Sequence, residues 1–180
     1  SDLAQISAEA LRPDNEKSTL LVLPGSRRSE ILSLMPVFGQ SVEELAARLG
    51  NLEVILPTLP HQEPLVREMC RDWVVKPQIV VGEQDKWQAF AKGDIALAAS
   101  GTVALELALC QIPSVIAYKT DWFARQFLAK HITIWSASLP NIIADEPILP
   151  EYFDFYMRPG ALTRHLQRLL FPGPARQAQL

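Results

Sequence analysis

The chain has 180 residues, 48% hydrophobic and 21% charged, with 17 basic against 20 acidic side chains and a net charge of −3. Such a composition excludes wholesale disorder, and the length suits one domain with a sizeable core. No apolar run approaches the ~18 residues of a membrane span, and the charge balance confers no general affinity for nucleic acid, which is not an expected partner.

Residues 1–18 read as a polar lead-in with neither a basic n-region nor an apolar h-region, so no secretory signal is expected. TLLVLP (19–24) is a short apolar run broken by Pro24-Gly25, the pattern of a strand buried on both faces. Leu34, Val37, Phe38, Val42, Leu45 and Leu49 then recur at helical spacing up to a stop at Gly50. Pro36 predicts a kink or a delayed start in that helix. The unit repeats: strands at 52–57, 78–81, 94–100 and 113–119 alternate with helices at 63–73, 84–93, 102–111 and 122–132. Five strands alternating with helices predict a parallel, doubly wound α/β sheet with right-handed crossovers.

Beyond residue 136, three prolines predict a loop with one short ordered element, then a helix at 161–170 and a frayed, breaker-rich tail at 172–180. The domain proper is expected to span 19–171. Cys70 and Cys110 lie in apolar helical patterns, which predicts two buried free thiols in a reducing cytoplasm. Three scattered histidines and no CxxC exclude the common zinc spacings, and no metal or cofactor is expected.

Open parallel sheets bind ligands beyond the carboxyl ends of their strands, and two strand-to-helix turns carry chemistry there. In the first, Gly25 permits a tight turn, Ser26 can cap the following helix, and Arg27 can give a forked contact to phosphate oxygens. In the second, Ser100, Gly101 and Thr102 leave a helix N-terminus uncovered and add two hydroxyl donors. Glu106, about one turn inside that helix, can accept both hydroxyls of a ribose; otherwise it complements the helix dipole. Neither turn is GxGxxG or GxxxxGK[ST], so a dinucleotide fingerprint and a P-loop are both excluded. Trp122, Phe123 and Phe127, with Arg125, Lys130 and His131, suit either a membrane-surface patch or sheet-facing core.

LVLPGSRRSEI, DIALAASGTVALELALCQIPSVIAYK and SLPNIIAD occur in an order and spacing that resemble the carboxyl half of the lipid-A-disaccharide synthase family, over roughly residues 19–150. The resemblance implies half of a two-Rossmann (type B) glycosyltransferase, an inverting enzyme. The family joins UDP-2,3-diacylglucosamine to 2,3-diacylglucosamine 1-phosphate, releasing UDP, at the cytoplasmic face of the inner membrane of a Gram-negative bacterium. It places Gly25, Ser26 and Arg27 at the donor diphosphate, with Arg27 stabilising the leaving group. Ser100, Gly101 and Thr102 fall beside them, Glu106 at the uridine ribose, Gly82 at the base through its main chain, and Asn141 at the cleft between the two halves. The implied partners are the UDP-linked acylated glucosamine, the lipid acceptor, the membrane surface and an amino-terminal Rossmann half carrying the general base. Alone, the chain is expected to bind nucleotide without turnover. The rival readings are another type B enzyme acting on UDP-N-acetylglucosamine and a non-catalytic nucleotide-binding domain.

Overall fold

The computed structural model describes residues 17–118, 136, 138–153 and 157–180. β1 (Ser18–Leu23) is buried at every position. Its side chains divide by parity: Leu20 and Val22 enter one core, Leu21 and Leu23 the other. This alternation is what a strand covered on both faces requires. α1 (Arg28–Leu49), β2 (Leu52–Thr58), α2 (Glu63–Met69), β3 (Gln78–Val81), α3 (Glu83–Phe90), β4 (Ile95–Ala99), α4 (Thr102–Leu109) and β5 (Ser114–Tyr118) follow in alternation. α5 (Leu139–Ala144), β6 (Glu151–Phe153), α6 (Pro159–Leu170) and α7 (Pro174–Gln177) complete the described elements. The strands form one parallel sheet in the order β3-β2-β1-β4-β5-β6. The order reverses between β1 and β4, which opens a crevice at their carboxyl ends.

One face is covered by α1, α2 and α6 through Met35, Phe38, Val66 and Leu166, and the other by α3 and α4 through Ala89, Phe90, Ala104 and Leu107. Thr163 Oγ1 donates to Ser41 O at 3.3 Å where α6 crosses α1. Trp73 packs into the first core, whereas Trp87 is 42% exposed and meets Phe90 edge-on.

Several expectations need correction. α1 starts at Arg28 and runs through Pro36 without interruption. Pro36 and Leu32 lie on the exposed side, where the carbonyl left without an N–H partner can bond water. α2 stops at Met69, and the chain turns back with Trp73 N–H on Cys70 O. The sheet has a sixth strand: the Pro-rich stretch supplies both α5 and β6, the latter paired in parallel to β5. Cys110, the C-cap of α4, is exposed rather than buried. Cys70 is buried as expected, and burial raises its thiol pKa to about 11. The tail differs from the frayed segment its breakers predict. Arg176 Nη1 donates to Leu169 O at 2.7 Å, and Gln179 Oε1 accepts the Ser114 N–H at 2.6 Å. The helix expected at 122–132, with its aromatic and basic patch, lies outside the described residues.

Candidate functional site

A cavity of about 260 Å³ opens where the sheet order reverses. Its wall is built from the carboxyl ends of β1, β2, β3 and β4: Leu23, Gly25 and Ser26, then Pro57 to Leu59, then Gly82, Glu83 and Lys86, then Ser100 to Val103. The two turns singled out in the sequence therefore face one space, and Gly82 joins them.

Gly25 has φ +103, and a Cβ there would fall 2.5 Å from Glu30 Oε2. That carboxylate is buried and accepts the Arg27 N–H at 3.2 Å. The N-cap of α1 is thus Arg27, and Ser26 does not cap the helix as expected. Glu30 reaches back to the cap because it stands at the third helical position, where the geometry of a capping box favours an acidic residue. Ser26 is held instead by its carbonyl, which accepts from Gln62 Nε2 at 3.0 Å. Arg27 stands outside the cavity wall, largely exposed, with Nη1 3.6 Å from Glu30 Oε1.

On the β4 side, Gly101 is the N-cap of α4 at φ +138, with open space where a Cβ would project. No side chain caps α4 or α3, so their first N–H groups and positive dipole ends face the crevice. Among the described residues the hydroxyls of Ser26, Ser100 and Thr102 carry no hydrogen bond. The Thr58 hydroxyl is buried without a partner. Donors and dipoles converge here, an arrangement that suits an anion.

Glu106 is not in the wall. Its carboxylate accepts from Lys86 Nζ at 3.2 Å on Oε1 and 3.0 Å on Oε2. Lys86 escapes reading from sequence because its partner lies on another helix, although VVGEQDK is a third strand-Gly-helix turn. Thr58 gives no sequence signal. Asn141 lies away from the wall on α5, 1% exposed. Its Nδ2 donates to Leu149 O at 3.1 Å and its Oδ1 accepts the Leu149 N–H at 2.7 Å. Nearby, Tyr118 OH donates to Glu151 Oε1 at 2.7 Å and Ser136 Oγ to Oε2 at 2.9 Å. Burial, with Glu151 beside it, pushes the Tyr118 phenol far above its ordinary pKa. Among the described residues, no three potential metal ligands cluster, and no helix is long and apolar enough to cross a membrane.

A parallel sheet in this order, with a cavity at its point of reversal, defines a Rossmann-like α/β domain, a class whose ligand sites lie at the strand ends. Two solved structures share the fold. S. aureus MnaA, in a co-structure with UDP, matches 92% of this chain and 40% of its own at a TM-score of 0.60 and 15% identity. MurG of Acinetobacter baumannii matches 93% and 46% at a TM-score of 0.50 and 18% identity. A family model described as lipid-A-disaccharide synthetase matches residues 2–171, and the chain belongs to that family. The lipid-A-disaccharide synthase of Rhodopseudomonas palustris strain HaA2 is 44% identical over 173 residues, covering 96% of this chain and 44% of the relative. That of Rhodospirillum centenum is 42% identical over 165 residues, covering 92% and 41%. The chain therefore spans less than half the length of these relatives.

Proposed function

We propose that residues 19–171 form the donor-binding, carboxyl-terminal half of a glycosyltransferase that makes the lipid A disaccharide. The observation that supports this most is the convergence of the β1, β3 and β4 turns on one cavity in a chain of this family. The donor is UDP-2,3-diacylglucosamine and the acceptor 2,3-diacylglucosamine 1-phosphate. The acceptor hydroxyl attacks the anomeric carbon, the bond to the β-phosphate oxygen breaks with inversion, and UDP leaves. Negative charge grows on the diphosphate as it departs. Groups fixed in advance where charge develops lower the barrier most.

Gly25 and Ser26 on one side, and Ser100, Gly101 and Thr102 on the other, grip the diphosphate with main-chain N–H groups and hydroxyls. The Arg27 guanidinium turns in from the rim to stabilise the leaving UDP. Gly82 receives the base through its main chain, and Glu106 takes the ribose. Asn141 shapes the interdomain cleft from within, since its amide holds Leu149. The general base, the acceptor site and the rest of the cleft come from an amino-terminal Rossmann half, and the assembled protein works at the cytoplasmic face of the inner membrane.

The test is UDP release by the full-length protein with both acylated sugars, against a control with UDP-N-acetylglucosamine as donor. Turnover with the acylated donor alone, and a fall of about two to three decades in kcat/KM for Arg27→Ala, are expected. Equal turnover of the non-acylated donor, or a fully active Arg27→Ala variant, contradicts the reading.

A further inference from the structure

We propose that Lys86 is a second cation for the donor diphosphate, held on Glu106 until the ribose arrives and then handed over to the phosphates. The inference rests on the ribose role of Glu106 above and adds a residue and an order of events to it.

α3 and α4 lie on the same face of the sheet, and both begin at the crevice. Lys86 is in the first turn or so of α3 and Glu106 in the second turn of α4. Helical side chains lean toward the N-terminus, so both point toward the cavity end. Lys86 forms part of the wall and Glu106 does not. Lys86 therefore borders the cavity while its ammonium holds a carboxylate outside the wall.

One Nζ contacts both carboxylate oxygens, at 3.0 and 3.2 Å. A bridging cation occupies the edge of the carboxylate that a vicinal diol needs to donate to both oxygens. Ribose and lysine therefore compete for Glu106, and a ribose that docks there displaces the ammonium. Lys86 is also poorly placed for its own helix. A cation near a helix N-terminus opposes the dipole; what holds it there besides Glu106 is the Trp87 ring, over which Nζ lies 4.5 Å from the centroid. Freed from Glu106, the charge can turn to a diphosphate in the cavity, which carries more negative charge than Glu83, the carboxylate in the same wall. The turns at Ser26 and Ser100 to Thr102 set the diphosphate in that cavity, and a flexible lysine stem can swing to it.

The order of events gives opposite signs for two ligands. In the chain, Lys86→Met is expected to weaken UDP by about tenfold or more, the effect of losing a charged hydrogen bond. It is expected to leave uridine binding as tight as before or tighter, because the competitor for Glu106 is gone. Lys86→Arg keeps the charge and retains UDP affinity within a few-fold. Glu106→Gln weakens both ligands. Calorimetry or NMR titration of UDP and uridine reads all four, with thermal melts and Lys86→Gln as a second neutral variant to separate binding from folding. Equal losses for uridine and UDP in Lys86→Met would mean that lysine merely orients Glu106, and the handover is overturned. Unchanged UDP affinity overturns it as well. Failure of the wild-type chain to bind UDP, or an unaffected uridine affinity in Glu106→Gln, sinks the nucleotide reading itself and is seen without any Lys86 variant.

Discussion

The crevice over β1 to β4 and the wing formed by β5, β6 and α5 use polar residues in opposite ways. In the wing, Asn141 satisfies both main-chain groups of Leu149, and Glu151 accepts from Tyr118 and Ser136. These groups face one another and leave little for a ligand. In the crevice the hydroxyls of Ser26, Ser100 and Thr102 lack partners among the described residues, and the N-caps of two helices, Gly82 and Gly101, line the cavity itself. A buried polar network fixes structure, whereas open donors around a cavity are poised for something from outside. Chemistry of residue type does not separate the two regions; access to a cavity does, since Ser138 Oγ in the wing is also buried without a partner yet lies away from the wall, whereas Thr58 lines it.

Gly25→Ala breaks the crevice side of that contrast and carries the largest effect expected. Alanine at φ +103 is strained, and its Cβ collides with the Glu30 carboxylate that caps α1. Backbone strain of this kind costs about 1–3 kcal/mol. With the turn displaced, UDP affinity is expected to fall by about tenfold or more, read by calorimetry on a variant that still melts cooperatively.

Asn141→Ala sharpens the wing side. Leu149 loses partners for a buried N–H and C=O, and about 1–3 kcal/mol of stability is expected to go with them. Urea unfolding measures that loss, while UDP affinity of the folded chain is expected to stay within about twofold. A large affinity loss without a stability loss would make Asn141 a ligand contact.

The smallest effect lies behind the wing, where His165 Nδ1 meets the Tyr152 hydroxyl between α6 and β6. Burial, with Arg168 and Arg164 nearby, lowers the His165 pKa below its ordinary 6.5. The native state resists a proton that the unfolded chain accepts, so stability present above pH 6.5 declines as pH falls through the native value. His165→Gln is expected to flatten that part of the melting-temperature profile and to leave UDP binding unchanged. An identical slope in the variant would remove His165 from the acid sensitivity.

Much of this architecture is legible in the sequence because β1, β4 and β5 are buried on both faces and read as continuous apolar runs between turn residues. β6 is three half-buried residues among prolines and has no period to detect. In the tail, Pro174 reads as a breaker yet begins α7, since a proline suits the first helical position. The cavity wall is legible where a local turn defines it, at Gly25, Ser26, Ser100, Gly101 and Thr102. Side-chain pairing is not legible where two distant residues meet, as in Lys86 with Glu106, nor where burial decides, as at Asn141, whose bonds to Leu149 the family resemblance does not reveal.

The most direct test of the contrast is a residue-resolved NMR titration of the chain with UDP. The account predicts that the amides of Gly25 to Arg27, Gly82 and Ser100 to Thr102 shift progressively with nucleotide, while those of Asn141, Leu149 and Glu151 stay still. Shifts centred on the wing, or none at millimolar UDP, would contradict it.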